Sequence, residues 1–328
     1  MVGRPLPAVP LLLALPLVML LSPCAGVGGL AAPTSGSNDG LLYRMPDQVE
    51  LMRTALENAL DSEAVAAARA DALGALQELV EDMDNAGDFK TIDGFGQLHA
   101  LLAEDSAALQ AGAAWVLGTG AQNNRELQLH MLEIGALPSL VRMLRTQADA
   151  STRAKALYAI SSLVRNCAEG WAAFEGAGGT DALLVALADA GSARIVRKAL
   201  TLLTDLLTDE AAATAHALSG AALTNSTRLC DAVGRCFRAG DADAEEKAVL
   251  ALDAMDRAGL ALTHAAGCDV DTLRDELRQF VTRCEAAESA EDDAESDDAG
   301  CGDALASARE LEARLRPPDE DGWASAEL

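Results

Sequence analysis

Gly135-Ala136-Leu137-Pro138-Ser139-Leu140-Val141-Arg142-Met143-Leu144 opens on a glycine turn and runs directly into an apolar helix pattern, and the chain repeats this design. An earlier copy reads Asp93-Gly94-Phe95-Gly96-Gln97-Leu98-His99-Ala100-Leu101-Leu102. A later one reads Gly178-Gly179-Thr180-Asp181-Ala182-Leu183-Leu184-Val185-Ala186-Leu187. The matching leucines Leu98, Leu140 and Leu183 stand 42 and 43 residues apart. Each copy is followed by a longer helix pattern. In these, Ala114, Ala156 and Ala199 form one column at the same spacing, and Ala72 extends it backwards by 42.

A period of ~40–47 residues with several helices per unit is the mark of armadillo and HEAT repeats. The expected fold is all-α, a right-handed armadillo-like α-solenoid of about four repeats over residues 46–283, with irregular helical caps at 46–71 and 211–283. Composition agrees. Half of the 328 residues are hydrophobic and only 3% aromatic, so alanine and leucine carry the apolar content and favour helix over strand. With 25 Lys+Arg against 51 Asp+Glu the net charge is −26, which argues against a nucleic-acid partner. No apolar run reaches the ~18–20 residues of a membrane span. The four histidines (99, 130, 216 and 264) are scattered, so neither a metal nor another cofactor is expected.

The ends read differently from the middle. Residues 1–26 have the pattern of a secretory signal peptide: Arg4, an apolar stretch from Leu11 to Leu21, then the small residues Cys24, Ala25 and Gly26. Four prolines (5, 7, 10 and 16) argue against a buried helix there. Residues 27–45 are expected to be disordered. Entry into the endoplasmic reticulum lumen would leave Cys167, Cys230, Cys236, Cys268, Cys284 and Cys301 free to form disulfides and make Asn225 of Asn225-Ser226-Thr227 a glycosylation acceptor. Residues 284–328 read as an acidic, largely disordered tail, since Glu285–Asp298 carries eight acids and no base. One short helix at 303–316 is compatible with the pattern before Pro317-Pro318 ends it.

Superimposing the long helices separates two faces. Leu73, Leu76 and Leu79, then Leu157, Ile160 and Leu163, then Leu200, Leu203 and Leu206 form apolar stripes that seal one repeat against the next. Trp115 falls in the same column and is expected in this core. The opposite columns are polar: Gln77, Glu78, Glu81 and Asp82; Thr119, Asn123 and Asn124; Tyr158, Ser161, Ser162, Arg165 and Asn166; Thr204, Asp205, Thr208 and Asp209. Stacked repeats would join these into a continuous polar ladder, the kind of surface with which solenoids hold large partners. From Arg125 to Arg165 six basic residues meet three acidic ones, a local cationic centre in an acidic protein. G-x-S-x-G, P-loop, G-x-G-x-x-G and H-E-x-x-H patterns do not occur. The reading is a monomeric binding scaffold, not an enzyme. An armadillo adaptor for an extended peptide is the alternative, although Trp115 has no aromatic counterpart at 73, 157 or 200.

The first long helix leaves through Glu81-Asp82-Met83-Asp84-Asn85-Ala86-Gly87-Asp88-Phe89, the second through Gln122-Asn123-Asn124, and the third reads Lys155-Ala156-Leu157-Tyr158-Ala159-Ile160-Ser161-Ser162-Leu163-Val164-Arg165. Over about residues 50–210 these strings resemble the armadillo-type nucleotide exchange factors of heat shock protein 70 (Hsp70) chaperones. The resemblance implies a concave face that wraps lobe II of the chaperone's ATPase domain and loosens its ADP site. It implies Glu81, Asp82, Asn85, Asn123, Asn124, Tyr158, Arg165 and Asn166 as partner-binding residues, with Asp84 and Asp88 bracing the turn. With a signal peptide, the implied partner is the BiP-like Hsp70 of the endoplasmic reticulum.

Overall fold

A computed structural model describes residues 47–189, 191–208, 226–260, 262, 268–290 and 301–316. The signal-peptide segment, residues 27–45, Asp209 and Asn225 lie outside the described residues. Every regular element among those described is helical. A pair, α1 (Gln48–Leu60) and α2 (Ala66–Leu79), comes first. Three triplets of short, short and long helix follow. The first is α3 (Met83–Thr91), α4 (Gly94–His99, continued by a 3-10 turn to Ala103) and α5 (Ala107–Ala121). The second is α6 (Arg125–Glu133), α7 (Ala136–Thr146) and α8 (Ala150–Val164). The third is α9 (Ala168–Gly176), α10 (Gly179–Leu187) and α11 (Ala193–Thr208). Then come α12 (Ser226–Gly234), α13 (Ala242–Arg257), α14 (Val270–Ala290) and α15 (Gly302–Arg314).

The repeat is written into the turns. Asp93, Gly135 and Gly178 join the first helix of each triplet to the second, all left-handed with φ of 59°, 77° and 78°. Glycine adopts that conformation without strain, and Asp and Asn tolerate it best among the rest. The first helices start at equivalent N-caps. Asp82 accepts from the Asp84 and Asn85 amides, Asn124 from Leu127, and Cys167 through its sulfur from Gly170.

Stacking is between neighbours, as a solenoid requires: α2 packs on α5, α5 on α8, α8 on α11, and α11 on α13. Leu73, Leu76, Leu157, Ile160, Leu163, Leu200, Leu203 and Leu206 are all buried, with Leu79 half-buried beside them. The long-helix ladder therefore starts at α2 and runs one helix beyond α11. The region expected to be an irregular cap contains α13, with Ala248, Val249, Leu252 and Met255 in its core face.

Two expectations need correcting. The tail boundary at 283 falls inside α14, which runs unbroken to Ala290. Cys284 is bonded to Cys301, and α15 buries Leu305, Ala308 and Leu311 against α13 and α14. Among the described residues of this segment, charge is paired and not repulsive: Glu312 with Arg278, Glu285 with Arg309, and Arg314 with Asp253 and Asp256 of α13. Second, Trp115 is not core; it is 36% exposed while Leu73, Leu157 and Leu200 of its column are buried. Helix α5 is built of small residues at its seams. A Cβ on Gly118 would stand 2.8 Å from the Ala159 Cα, and one on Gly112 2.8 Å from a Leu73 methyl. Backbones this close leave no room for an indole, which moves to the surface.

Candidate functional site

The polar columns do meet. On α2, the Gln77 amide donates to the Glu81 carboxylate (2.7 Å) and reaches the Thr119 hydroxyl of α5 (3.4 Å). Thr119 lies 3.5 Å from the Tyr158 hydroxyl of α8, which donates to the side-chain amide oxygen of Gln122 at the end of α5 (3.0 Å). Arg165, capping α8, forms an ion pair with Asp205 of α11. Side chains from four successive long helices thus share one polar face. Between α5, α8 and α11 that face opens into a pocket of about 230 Å³ whose walls include Gln122, Asn123, Tyr158, Ser161, Arg165, Lys198 and Thr201.

Of the eight residues the resemblance implied, Asn123, Tyr158 and Arg165 line this pocket. Glu81 belongs to the ladder at the neighbouring repeat. The others are occupied in turns. Asp82 caps α3, Asn124 caps α6, and the Asn85 side chain holds the Leu79 carbonyl at 3.0 Å. Asn123 and Asn166 are both left-handed, φ 55° and 53°, and Asn166 is exposed. The bracing role suggested for Asp84 and Asp88 falls to Asp82, which receives the amides of residues 84 and 85. Asp82→Ala is therefore expected to lower stability by ~1 kcal/mol. Calorimetry should show a fall in unfolding midpoint of roughly 2–4 °C.

The cationic centre is real but displaced from where the sequence places it. Arg125, Arg153 and Arg165 each meet an acid of the following repeat: Glu169, Asp189 and Asp205. Sequence counting missed these pairs because the partners lie 36–44 residues on. Among the described residues, the half-buried positive charge left without an acid is at Lys155 and Lys198, with the exposed Arg194 acting on both. The Lys155 ammonium sits 2.9 Å from the Trp115 ring centroid, a cation–π contact. Burial, then Arg194 and Lys198, bring Lys155 down to about 8. Burial, then Arg194 and Arg165, lower Lys198 too. Sequence carried a usable signal for both lysines, which hold one column 43 residues apart.

The sign of the pH effect follows. The Lys155 pKa is lower in the fold than its ordinary 10.5, so between about 8 and 10.5 the unfolded chain holds a proton the fold has released. This group's contribution to stability rises with pH over that window and falls as pH drops towards 8. Tryptophan emission should titrate with a midpoint near 8 as the ammonium over Trp115 is discharged. The transition should vanish in Trp115→Phe; persistence there would place it elsewhere.

Among the described residues, no group of three or more His, Cys, Asp or Glu is arranged to hold a metal ion. What the face can do is grip: hydroxyls, amides and the half-buried Lys198 ammonium in the pocket, with Lys155 on the neighbouring repeat, suit a polar protein surface.

Known proteins place this chain. Designed armadillo repeat proteins share the fold. One, solved in complex with the peptide (KR)4, superposes with a TM-score of 0.53 at 17% identity, covering 80% of this chain and 99% of its own. The armadillo-repeats-only protein of Plasmodium falciparum gives 0.52 at 18%, covering 67% and 99%. In sequence, the Hsp70 nucleotide exchange factor FES1 of Coccidioides immitis is 33% identical over 126 residues, 38% of this chain and 59% of that protein. The FES1 protein of Yarrowia lipolytica is 32% identical over 177 residues, 52% of this chain and 61% of that protein. Each match thus spans less than two thirds of the relative's length. The family model "Nucleotide exchange factor Fes1" matches residues 33–89, and the model "SIL1/FES1/HPBP1 C-terminal domain" matches residues 85–315. With most of the described helices inside that second match, the chain belongs to the SIL1/FES1/HPBP1 family.

Proposed function

We propose that the protein is a nucleotide exchange factor, a non-catalytic co-chaperone that acts as a monomer on an Hsp70 chaperone of the endoplasmic reticulum lumen. The observation that carries this reading is the hydrogen-bonded polar face spanning α2, α5, α8 and α11. A broad polar face suits a partner that must be released again. Its relatives are named as Hsp70 nucleotide exchange factors. The mechanism is a population shift. The face must bind the opened, nucleotide-free ATPase domain more tightly than the ADP-closed form, since equal affinity for both would move nothing. The lumen is supported by the Arg4–Gly26 segment and by the two disulfides, Cys230–Cys268 and Cys284–Cys301, which persist in oxidising compartments.

The test is release of fluorescent ADP from a luminal and from a cytosolic Hsp70, each titrated with the purified chain. Saturable acceleration of the luminal chaperone is expected. No acceleration of either would overturn the reading in favour of a peptide adaptor, and acceleration of the cytosolic chaperone alone would overturn the lumen. Arg165→Glu sets a carboxylate against Asp205 and is expected to weaken chaperone binding by roughly tenfold with helix content unchanged. Unchanged affinity would remove Arg165 from the interface.

A further inference from the structure

In this acidic chain, basic side chains on the long helices are matched across repeats: Arg153 with Asp189, Arg165 with Asp205, Arg197 with Asp241. Lys155 and Lys198 break the pattern. Both are half-buried and, among the described residues, neither is paired with a carboxylate. The charges that act on them are positive, Arg194 on both and Arg165 on Lys198. Arg53, Arg142, Arg145 and Arg194, which also lack an acid, are exposed, so water solvates them. A desolvated cation with no counter-ion is unfavourable, and two on adjacent repeats more so. That penalty is offset only when an anion arrives. Lys198 lines the pocket beside Tyr158 and Ser161, and Lys155 lies one turn before Tyr158 with Trp115 against its ammonium.

We infer that this pocket is a carboxylate socket: one aspartate or glutamate side chain on the surface of the partner chaperone seats against Lys198, and Lys155, in the same column of the preceding repeat, adds positive charge nearby. The pocket, at about 230 Å³, admits a whole side chain and not only its tip. Of its hydroxyls, those of Tyr158, Ser162 and Thr201 already donate within the fold, which leaves Ser161 as a further donor to an anion. The inference rests on the exchange-factor reading for the partner's identity.

Lys155→Met, Lys198→Met and the double variant, made in the full chain, test it. Binding to the nucleotide-free ATPase domain of a luminal Hsp70 is titrated at low and high salt, alongside release of fluorescent ADP. Lys198→Met is expected to weaken binding by ~10-fold, Lys155→Met by less and the pair by more than either, with a flatter salt dependence. Circular dichroism is recorded for each variant to check that helix content is kept, and Lys198→Arg, which keeps the charge, should retain most of the affinity. If the unmodified chain speeds ADP release while the double variant binds equally well with the same salt slope, the socket is overturned and the exchange reading stands. If the unmodified chain neither binds nor accelerates release, the reading fails and takes the socket with it.

Discussion

Gly118→Val is expected to lower the unfolding midpoint by roughly 10 °C, while Gly74→Ala, a change of the same kind in another long helix, raises it. Gly118 faces α8 where the two helices nearly touch. A Cβ there would lie 2.8 Å from the Ala159 Cα and 2.9 Å from the Tyr158 ring. The first neighbour is backbone and cannot swing away, so α5 and α8 must separate. Overpacking of this kind costs about 3 kcal/mol, and for a chain of this size each kcal/mol moves the midpoint by roughly 2–4 °C. Better helix propensity returns less than ~1 kcal/mol of this. At Gly74 of α2 a Cβ meets nothing within 4 Å. Alanine there gains the propensity term of ~0.5–1 kcal/mol with no clash. Calorimetry of the two variants decides the matter: equal shifts would show that helix propensity, and not the close approach of α5 and α8, sets the role of Gly118. The effect reaches function too, because parting those helices separates Thr119 and Gln122 from Tyr158.

How much of this was legible beforehand depends on the range of the interaction. The period, the turn signals and the apolar stripes are local, and each recurs at 42–43 residues, so Leu98, Leu140 and Leu183 marked the repeat before any coordinate. The ladder was legible for the same reason: columns that align in sequence align in space. Trp115 was misread because its column says which way a helix face points, not how close the neighbouring helix comes. That distance is set by Gly112 and Gly118, and only coordinates reveal it. The charge centre was misread because pairing across repeats is invisible to a window count. Arg165 looked available and is held by Asp205, whereas Lys155, counted with it as one of six basic residues, is half-buried without an acid among the described residues. The short helix read at 303–316 stands as α15, Gly302–Arg314, and only the tail boundary at 283 was set too early, for a related reason. Glu285 and Glu312 count as repulsive charge in a composition argument and as ion-pair partners once Arg309 and Arg278 stand beside them.

Replacing Cys230 and Cys268 together by alanine is expected to destabilise the C-terminal third of the fold and spare the rest. The Cys230–Cys268 bond ties α12 to the start of α14 across 38 residues, with both sulfur atoms buried. A loop of that size, once unlinked, costs about 4 kcal/mol in chain entropy on the loop-closure account. In a compact globular domain such a loss would spread over the whole molecule. In a solenoid each helix leans only on its neighbours, so fraying from α12 to α15 passes to α11 through its seam with α13 and weakens before α8. Hydrogen exchange read by mass spectrometry should therefore show lost protection in 226–316, a partial loss in α11, and native protection from α2 to α8. Uniform loss would mean that the repeats do not behave as a linear array; no loss would mean that ion pairs such as Arg314–Asp253 hold the end without the bridge. Because Lys198 and Thr201 are on α11 while Tyr158 and Ser161 are on α8, the same variant should loosen one wall of the pocket and leave the other in place. Chaperone affinity should then fall even though every ladder residue is present, which links the redox state of the C-terminal helices to the grip of the face they support.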